Sequence, residues 1–401
     1  MSRHPRPFAL ERYFARHEFS ARYLLSTSDC QGLAMADLLA GADPDLRRRW
    51  ETLRLGYTES QGLPELREEI ARLYRGVRHD EILVSAPEEA IFLLMNALLE
   101  PGDHVVCTFP GYQSLYELAL SIGCQLTYWE PVEAEGWRFD PDRLRASLRP
   151  DTKLVIWNFP HNPTGALPSK EDFAAMVAAV AAVGARVLSD EMYRLLEPAA
   201  EARLPAGVDV YERSVSLSGM SKVYGLAGLR IGWVATHDSE LLGRMSTLKD
   251  YTTICSSAPS ELLALMALRS RESILRAHRE RVSRNVATAG RFFDRHSDRF
   301  GWVPPRGGTV CFPRLLSSVG GTATEADDGS TSTGRENASP DRPQGEGAEA
   351  FCARVLCDTG VLLLPSTVYD YGDEHFRLGL GREDFAPNLA VLDTYLSQPL
   401  T

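Results

Sequence analysis

Hydrophobic residues between about positions 81 and 235 occur in short runs, separated by segments with helical spacing. Runs of four or five residues predict strands at 81–84, 104–107, 153–157, 185–189, 214–217 and 231–235. Apolar residues three and four apart predict helices between them, at 89–99, 113–121 and 171–183. This alternation indicates a mainly parallel sheet covered by helices on both faces. Ligands bind such sheets outside the carboxyl ends of the strands.

The pattern becomes more helical toward the C-terminus. A long helix is predicted over 261–299, bridging to a smaller domain that has helices at 351–358 and 387–397 and strands at 361–364 and 376–378. Pro387 would stand at the first position of its helix, where a missing N–H costs little. Residues 317–348 are rich in Gly, Ser, Thr, Asp and Glu, which predicts a disordered insertion.

Three parts are therefore expected along the chain. An N-terminal segment, 1–45, contributes to the small domain and the active site. A large domain covers 46–280, and a small C-terminal domain covers 281–401 and contains the insertion.

Composition narrows the class of protein. The chain has 401 residues, of which 44% are hydrophobic and 24% charged, as in ordinary globular proteins. Its formal net charge of −11 argues against a nucleic-acid-binding surface. The seven cysteines form no C-x-x-C pair, so neither a disulfide framework nor a metal site is expected. There is no apolar leader and no uncharged run of membrane-spanning length, which predicts a soluble cytoplasmic protein.

The first candidate for chemistry is a lysine in a run of small residues. Lys222 follows the strand predicted at 214–217, in the sequence Ser-Gly-Met-Ser-Lys, and Arg230 stands eight residues later. Small neighbours let a flat aromatic aldehyde approach a lysine that is to form a Schiff base with it. An arginine nearby can bind the phosphate of such a ligand. A lone lysine in a loop is more often a solvated charge, so the interpretation of Lys222 as a Schiff-base lysine depends on the residues around it.

Two further polar clusters follow predicted strands. Asn162 belongs to an Asn-Pro-Thr-Gly turn after strand 153–157, and such a turn is common by itself. Asp190 and Tyr193 come at the end of the next strand. An acid at the end of an apolar strand is unusual unless it is paired, and a carboxylate can keep a pyridine nitrogen protonated.

In this order and spacing, these residues resemble the class I and II aminotransferases, which are pyridoxal-phosphate (PLP) enzymes of fold type I. From Asn162 to Asp190 there are 28 residues, and the resemblance covers nearly all of the chain outside 317–348. It implies an α/β fold, the PLP-dependent transferase fold type I, with a mainly parallel sheet flanked by helices in a large domain plus a smaller α+β domain.

The resemblance also implies a role for each of these side chains. Lys222 would hold PLP as a Schiff base and move the α-proton of the substrate. Asp190 would pair with the pyridinium nitrogen, and Arg230 would bind the phosphate. Asn162 and Tyr193 would hydrogen-bond the phenolic oxygen of the cofactor.

Four further residues, which lie outside the three clusters described above, also match the family. Tyr112 would stack on the cofactor ring, and Arg377 would bind the substrate α-carboxylate. Tyr57 would reach the phosphate of a neighbouring subunit, which implies a homodimer with shared active sites. Gly32 is a weaker candidate for a loop over the substrate, and a flexible turn is its alternative role.

Two departures from the family pattern concern the phosphate. Pro87 stands in the turn that normally supplies backbone N–H groups to it, and proline has none. Glu88 puts a negative charge there, and either points outward as a helix cap or faces a basic substrate group. Gly219 replaces a serine or threonine of many relatives, so Ser218 or Ser221 would take over its contact.

Three functions remain open. The leading one is transfer of an amino group between an α-amino acid and a 2-oxo acid. Segments 158–163, 221–226 and 305–308 also resemble capreomycidine synthase and related arginine-processing members, which implies elimination or cyclisation on a cationic amino acid, with Glu88 and Arg306 near the substrate. A non-catalytic PLP-binding protein is less consistent with the chain, because it retains Lys222 and Asp190.

Overall fold

The computed structural model of the protein describes residues 4–316 and 346–398. Of the predicted insertion, residues 317–345 lie outside the described residues, and Ala348 is the first residue of a helix. None of the helices within the two described ranges combines the length and apolar character that a membrane crossing needs.

In the described ranges the strands are β1 (Tyr23–Leu24), β2 (Ile82–Ser85), β3 (His104–Thr108), β4 (Gln125–Trp129), β5 (Thr152–Asn158), β6 (Arg186–Asp190), β7 (Ser214–Gly219), β8 (Gly232–Thr236), β9 (Phe300–Gly301), β10 (Val310–Cys311), β11 (Arg314–Leu315), β12 (Val361–Leu362), β13 (Leu364–Pro365) and β14 (Phe376–Gly379). The helices are α1 (Ala9–His17), α2 (Met35–Gly41), α3 (Pro44–Glu51), α4 (Pro64–Ala71), α5 (Pro87–Leu98), α6 (Ser114–Ile122), α7 (Pro141–Ser147), α8 (Lys170–Val183), α9 (Gly207–Val210), α10 (Ser239–Lys249), α11 (Ala258–Arg269), α12 (Arg271–Arg295), α13 (Ala348–Thr359) and α14 (Phe385–Ser397).

Strands β2 to β8 form one seven-stranded sheet in the order β2-β8-β7-β6-β5-β3-β4. All neighbours are parallel except β8, which is antiparallel to both β2 and β7. The central strands are buried along almost their whole length, as expected when helices cover both faces. This confirms the expected fold class.

Most predicted elements are confirmed to within two or three residues, and two of them, at 261–299 and 361–364, are divided in the structure. Strand β4 was not predicted, because it is a partly exposed edge strand without an apolar run. The helix predicted at 261–299 is two helices, α11 and α12, which meet at Ser270. The strand predicted at 361–364 is divided between β12 and β13. Pro387 is the third residue of α14, not the first.

The N-terminal segment packs against the C-terminal part of the chain. Strand β1 pairs in parallel with β12, and Leu25 packs in an apolar cluster with α12, α13 and α14. A few residues later, the backbone N–H of Cys30 donates to the carbonyl oxygen of Lys222 at 3.1 Å, and that of Leu33 to Gly225 at 3.4 Å. Residues 25–33 thus contact both the C-terminal elements and the loop after β7. The domain boundaries at 45 and 280 stay predictions.

Candidate active site

A cavity of about 410 Å³ opens at the carboxyl ends of β5, β6 and β7. Asn158 and Asp190 end two of these strands, and the loop after the third carries Lys222. Helix α1 and residues 27–29 form the opposite side. The position agrees with the general rule for ligand sites in parallel sheets.

The structure brings nine of the predicted site residues to this cavity, namely Lys222, Asp190, Tyr193, Asn162, Arg230, Tyr112, Ser221, Glu88 and Arg377. Three others are not among its lining residues. Ser218 lies within β7 opposite Trp233, so Ser221 is the better candidate of the two serines. Gly32 follows the wall formed by residues 27–29 without entering it, and Tyr57 is 90% exposed on the surface.

Lys222 is accessible from the cavity but otherwise enclosed by protein. Its Nζ donates a hydrogen bond to the Ser28 hydroxyl at 2.9 Å. Burial lowers the pKa of the Lys222 amine, and the nearby Asp29 carboxylate opposes that shift. A lowered pKa increases the fraction of neutral amine, the form that attacks a carbonyl carbon.

Asp190 is a buried acid that forms no ion pair with a described residue. It is 5% exposed, and its Oδ1 accepts a hydrogen bond from the backbone N–H of Met192 at 3.1 Å. Burial raises the pKa of Asp190 to about 7. A buried carboxylate in this state gains most from a cationic N–H donor supplied by a ligand.

Arg377 is a buried cation without a carboxylate partner in the described part of the chain. It is 1% exposed. Its Nε and Nη2 donate to the carbonyl oxygen of Ser26 at 3.1 and 2.7 Å. Its Nη1 donates to the Tyr369 hydroxyl at 2.6 Å and to Oδ1 of Asn162 at 3.2 Å. These neutral partners fix the guanidinium plane while leaving its charge for an anionic ligand.

Two buried hydroxyls in the cavity make no hydrogen bond to a described residue, those of Tyr193 and Ser221. The residues are 3% and 6% exposed. Buried hydroxyls are normally paired, so both are suited to contact a ligand. Together with Asp190, which has no ion-pair partner among the described residues, the lysine and two arginines, they fit PLP: its aldehyde, basic ring nitrogen, phenolic oxygen and phosphate each find a partner of suitable chemistry.

The two departures from the family pattern form one packing unit. A Cβ atom at Gly219 would lie 3.0 Å from both Pro87 Cγ and the Gly232 Cα. A Cβ atom at Gly232 would lie 2.6 Å from the same Pro87 ring. The Pro87 ring therefore crowds the space that a serine or threonine at position 219 would need, and this packing favours glycine there.

Glu88 does not point outward, so the interpretation as an exposed cap is wrong. It lines the cavity in the first turn of α5, and its Oε2 accepts a hydrogen bond from the Ser114 hydroxyl at 3.1 Å. Burial raises the pKa of Glu88 to about 7. Near neutral pH this carboxyl is partly protonated, and its protonated form can donate a hydrogen bond to an anion.

Replacing Glu88 by glutamine is expected to change how the stability of the cofactor-free protein depends on pH. The folded pKa of about 7 lies above the ordinary 4.5, so ionisation costs folding free energy as pH rises through that window. The variant should gain up to about 3 kcal/mol in free energy of unfolding at pH 8 and less than about 1 kcal/mol at pH 5. Urea denaturation at the two pH values measures it. Glu68→Gln, at an exposed position of α4, is the control. An equal difference at both pH values would contradict the burial of the carboxylate.

Sequence reasoning expected the N-terminal segment to contribute to the active site, but it named only Gly32 from that segment and missed the residues that line the cavity. Glu11, Phe14 and Glu18 line the cavity from α1 and its C-terminal cap, and Ser28 and Asp29 line it from the following segment. The spacing of three and four residues was visible and places these three side chains on one helix face. Nothing local in the sequence shows that this face turns toward a site formed some 200 residues away.

Known proteins resemble this chain along its length. The family model for aminotransferase class I and II matches residues 25–385. Capreomycidine synthase from Streptomyces vinaceus is 28% identical over 96% of this chain and 93% of its own. Aspartate/prephenate aminotransferase from Thermus thermophilus is 30% identical over 61% of this chain and 66% of its own.

Solved structures give the same picture. A PLP-dependent aminotransferase from Streptococcus suis has a TM-score of 0.85 and 28% identity, covering 98% of this chain and 99% of its own. The PLP-dependent cyclase OrfR has a TM-score of 0.82 and 28% identity, covering 99% of this chain and 98% of its own.

Proposed function

Because the chain belongs to the class I and II aminotransferase family and is therefore a PLP-dependent enzyme, we propose that it transfers an amino group between an α-amino acid and a 2-oxo acid. The observation that carries the proposal is the shared cavity of Lys222, Asp190 and Arg377. It brings together an amine for the cofactor aldehyde, a carboxylate for the ring nitrogen and a guanidinium for the substrate carboxylate.

When bound, PLP supplies an aldehyde that captures an amino group and a ring that accepts the electrons released at the α-carbon. Asp190 would keep a proton on the ring nitrogen, which would strengthen that electron acceptance. Arg230 would bind the phosphate. Tyr193 would donate its hydroxyl to the phenolic oxygen, and Asn162, whose Oδ1 is taken by Arg377, would offer its Nδ2.

Lys222 moves the proton in this scheme. Its amine would take the proton from the substrate α-carbon and hold it for return, and its lowered pKa suits it to act as a base near neutral pH. Arg377 holds the α-carboxylate and so orients the Cα–H bond toward Lys222. Its own hydrogen bonds to Ser26 and Tyr369 keep the guanidinium in place.

We also propose that two copies of the chain pair and share their sites through Tyr57. Leu55, Tyr57 and Tyr251 are each more than 80% exposed, a feature typical of surface that a partner covers. The Thr58 hydroxyl donates to the Ser256 carbonyl oxygen at 3.1 Å, which places the 55–58 and 251–256 segments side by side. Pairing through this surface would carry Tyr57 toward the phosphate of the partner.

The alternative is elimination or cyclisation on an amino acid. It is favoured by one observation: the similarity to capreomycidine synthase extends over more of the chain than the similarity to the Thermus thermophilus aminotransferase. The same Lys222, Asp190 and Arg377 would act in either reaction, and only the later fate of the electrons at the α-carbon differs. The identity of the product therefore distinguishes amino transfer from elimination or cyclisation.

The proposed reaction predicts a specific balance of products. Holoenzyme incubated with single amino acids and a 2-oxo acid should form one new 2-oxo acid for each new amino acid, with no ammonia, as mass spectrometry and an ammonia assay will show. Lys222→Ala is the inactive control. Release of ammonia or water, or a cyclised product without a 2-oxo acid, would replace amino transfer by the alternative. No turnover with any amino acid would contradict both.

A further inference from the structure

The side chain of Ser28 contacts the amine of Lys222 directly. Nζ of Lys222 donates to the Ser28 hydroxyl oxygen at 2.9 Å, and both residues line the cavity. Within the described residues, Lys222 forms no ion pair. A lysine side chain is long and flexible, so one fixed hydrogen-bond partner decides where its amine lies.

The backbone around Ser28 is held in place on two sides. The Ser28 carbonyl oxygen accepts a hydrogen bond from the Thr309 hydroxyl at 2.6 Å. The backbone N–H of Gly379, the last residue of β14, donates to the carbonyl oxygen of Leu25 at 2.7 Å. A Cβ atom at Gly379 would collide with the carbonyl oxygen of Thr27, so only glycine permits this close approach. The Ser28 hydroxyl is therefore presented to the lysine from a fixed backbone.

The charged neighbour of Ser28 is paired with a different cation. Both carboxylate oxygens of Asp29 accept hydrogen bonds from Nη2 of Arg382 at 3.1 Å. The charged side chains that most influence the Lys222 amine without bonding to it are those of Asp29, Arg377, Glu11 and Asp190. A carboxylate bonded to the amine would hold it as an ammonium, whereas a hydroxyl accepts the hydrogen bond and adds no charge. The contact with Ser28 thus fixes the amine and leaves it able to lose its proton.

We propose that Ser28 is a positioning residue for Lys222: whenever the amine is not attached to the cofactor, the Ser28 hydroxyl holds it where it reaches the substrate α-carbon. This role rests on the proposed function in one respect, that Lys222 is the base. The hydroxyl accepts a hydrogen bond from the neutral amine before proton transfer and from the ammonium afterwards. Without the hydroxyl, the freed amine would spread over several rotamers, and fewer of them would point at the α-carbon.

The contact can be tested by NMR in the cofactor-free protein. The chain has four lysines, Lys153, Lys170, Lys222 and Lys249. Lysine that is isotope-labelled at Cε therefore gives few resonances, and Lys222→Ala identifies the one that matters. A hydrogen bond from the amine stabilises its charged form more than its neutral form. Ser28→Ala should therefore lower the ratio of ammonium to neutral amine at a fixed pH by at least about threefold, and Ser28→Thr should retain the wild-type ratio.

Proton transfer is measured on the holoenzyme, as exchange of the substrate α-proton in deuterated water. For the amino acid that the wild type exchanges fastest, Ser28→Ala and Ser28→Cys should each lower the maximal rate by at least about tenfold. Ser28→Thr should stay within about threefold of the wild type, because it keeps a hydroxyl. The half-saturating substrate concentration and the Kd for PLP should change by less than about twofold. Ser20→Ala, at an exposed position after α1, is the control.

An unchanged exchange rate in both Ser28→Ala and Ser28→Cys would overturn the proposal, as would an unchanged ammonium ratio in Ser28→Ala. A loss of rate that Ser28→Thr shares would also overturn it, because the hydroxyl would then not be the group that matters. Two variants without the hydroxyl are used so that a folding defect in one leaves the test intact. If the wild type exchanges no amino acid, the proposed function fails, and the NMR ratio still decides whether Ser28 holds the amine.

Discussion

Replacing Lys222 by alanine is expected to lower kcat by at least about 10⁴-fold without unfolding the protein. In the proposed function this residue supplies both the covalent attachment of the cofactor and the base, and the described lining of the cavity holds no second lysine. The arginines there cannot substitute, because they stay protonated at neutral pH. The fall in kcat should therefore be larger than the fall expected when only a general base is removed.

Turnover and covalent attachment are measured separately. Borohydride reduction followed by mass spectrometry should find the cofactor attached at Lys222 in the wild type and nowhere in the variant. Lys170→Ala, at the exposed start of α8, is the matched control and should behave as wild type. A Lys222→Ala protein within tenfold of wild-type turnover would show that another group performs the proton transfer.

Replacing Asp190 by asparagine is expected to lower kcat/KM by about 10³-fold. Asparagine keeps the size of the side chain and can still accept the hydrogen bond from Met192, so the change removes mainly the charge. Without a carboxylate, the ring nitrogen of the cofactor loses its proton and the ring accepts electrons less readily. Steady-state kinetics and the Kd for PLP measure the two parts of this effect.

A charged cofactor analogue separates that explanation from a simple packing defect. An analogue with a permanently cationic ring nitrogen should restore part of the activity of Asp190→Asn, because it does not need the carboxylate to hold a proton. Asp37→Asn, at an exposed position of α2, controls for the loss of one negative charge. Activity of Asp190→Asn within threefold of wild type would rule out the proposed role.

The parallel sheet and the residues at its carboxyl edge could be predicted because they are local. Each buried strand is an apolar run, and Asn162, Asp190 and Lys222 follow their strands directly in the sequence. The edge strand β4 lacks such a run and was missed. Of the two directions that the sequence left open for Glu88, the exposed cap is wrong, and the local sequence could not decide because the inward direction depends on Ser114, a residue 26 positions away.

A contribution of the N-terminal segment to the site was expected, but the individual residues of the wall opposite the sheet could not be predicted, for a related reason. The contact between Arg377 and the Ser26 carbonyl joins residues 351 positions apart. Only the folded chain shows that α1 turns its Glu11 and Glu18 toward the lysine. The family pattern implies the positions that would act on the cofactor, and it implies none on α1.

The segment that runs from β1 toward Lys222 limits how far the cavity can open. Arg377 holds the carbonyl oxygen of Ser26, and the loop of Lys222 holds the N–H of Cys30. Four residues of backbone extend at most about 14 Å. As long as both contacts persist, the segment is a tether of fixed maximum length between the carboxylate anchor and the base. The length of this segment, rather than the packing of the large sheet, sets the greatest distance between Arg377 and Lys222 that a bound substrate has to span.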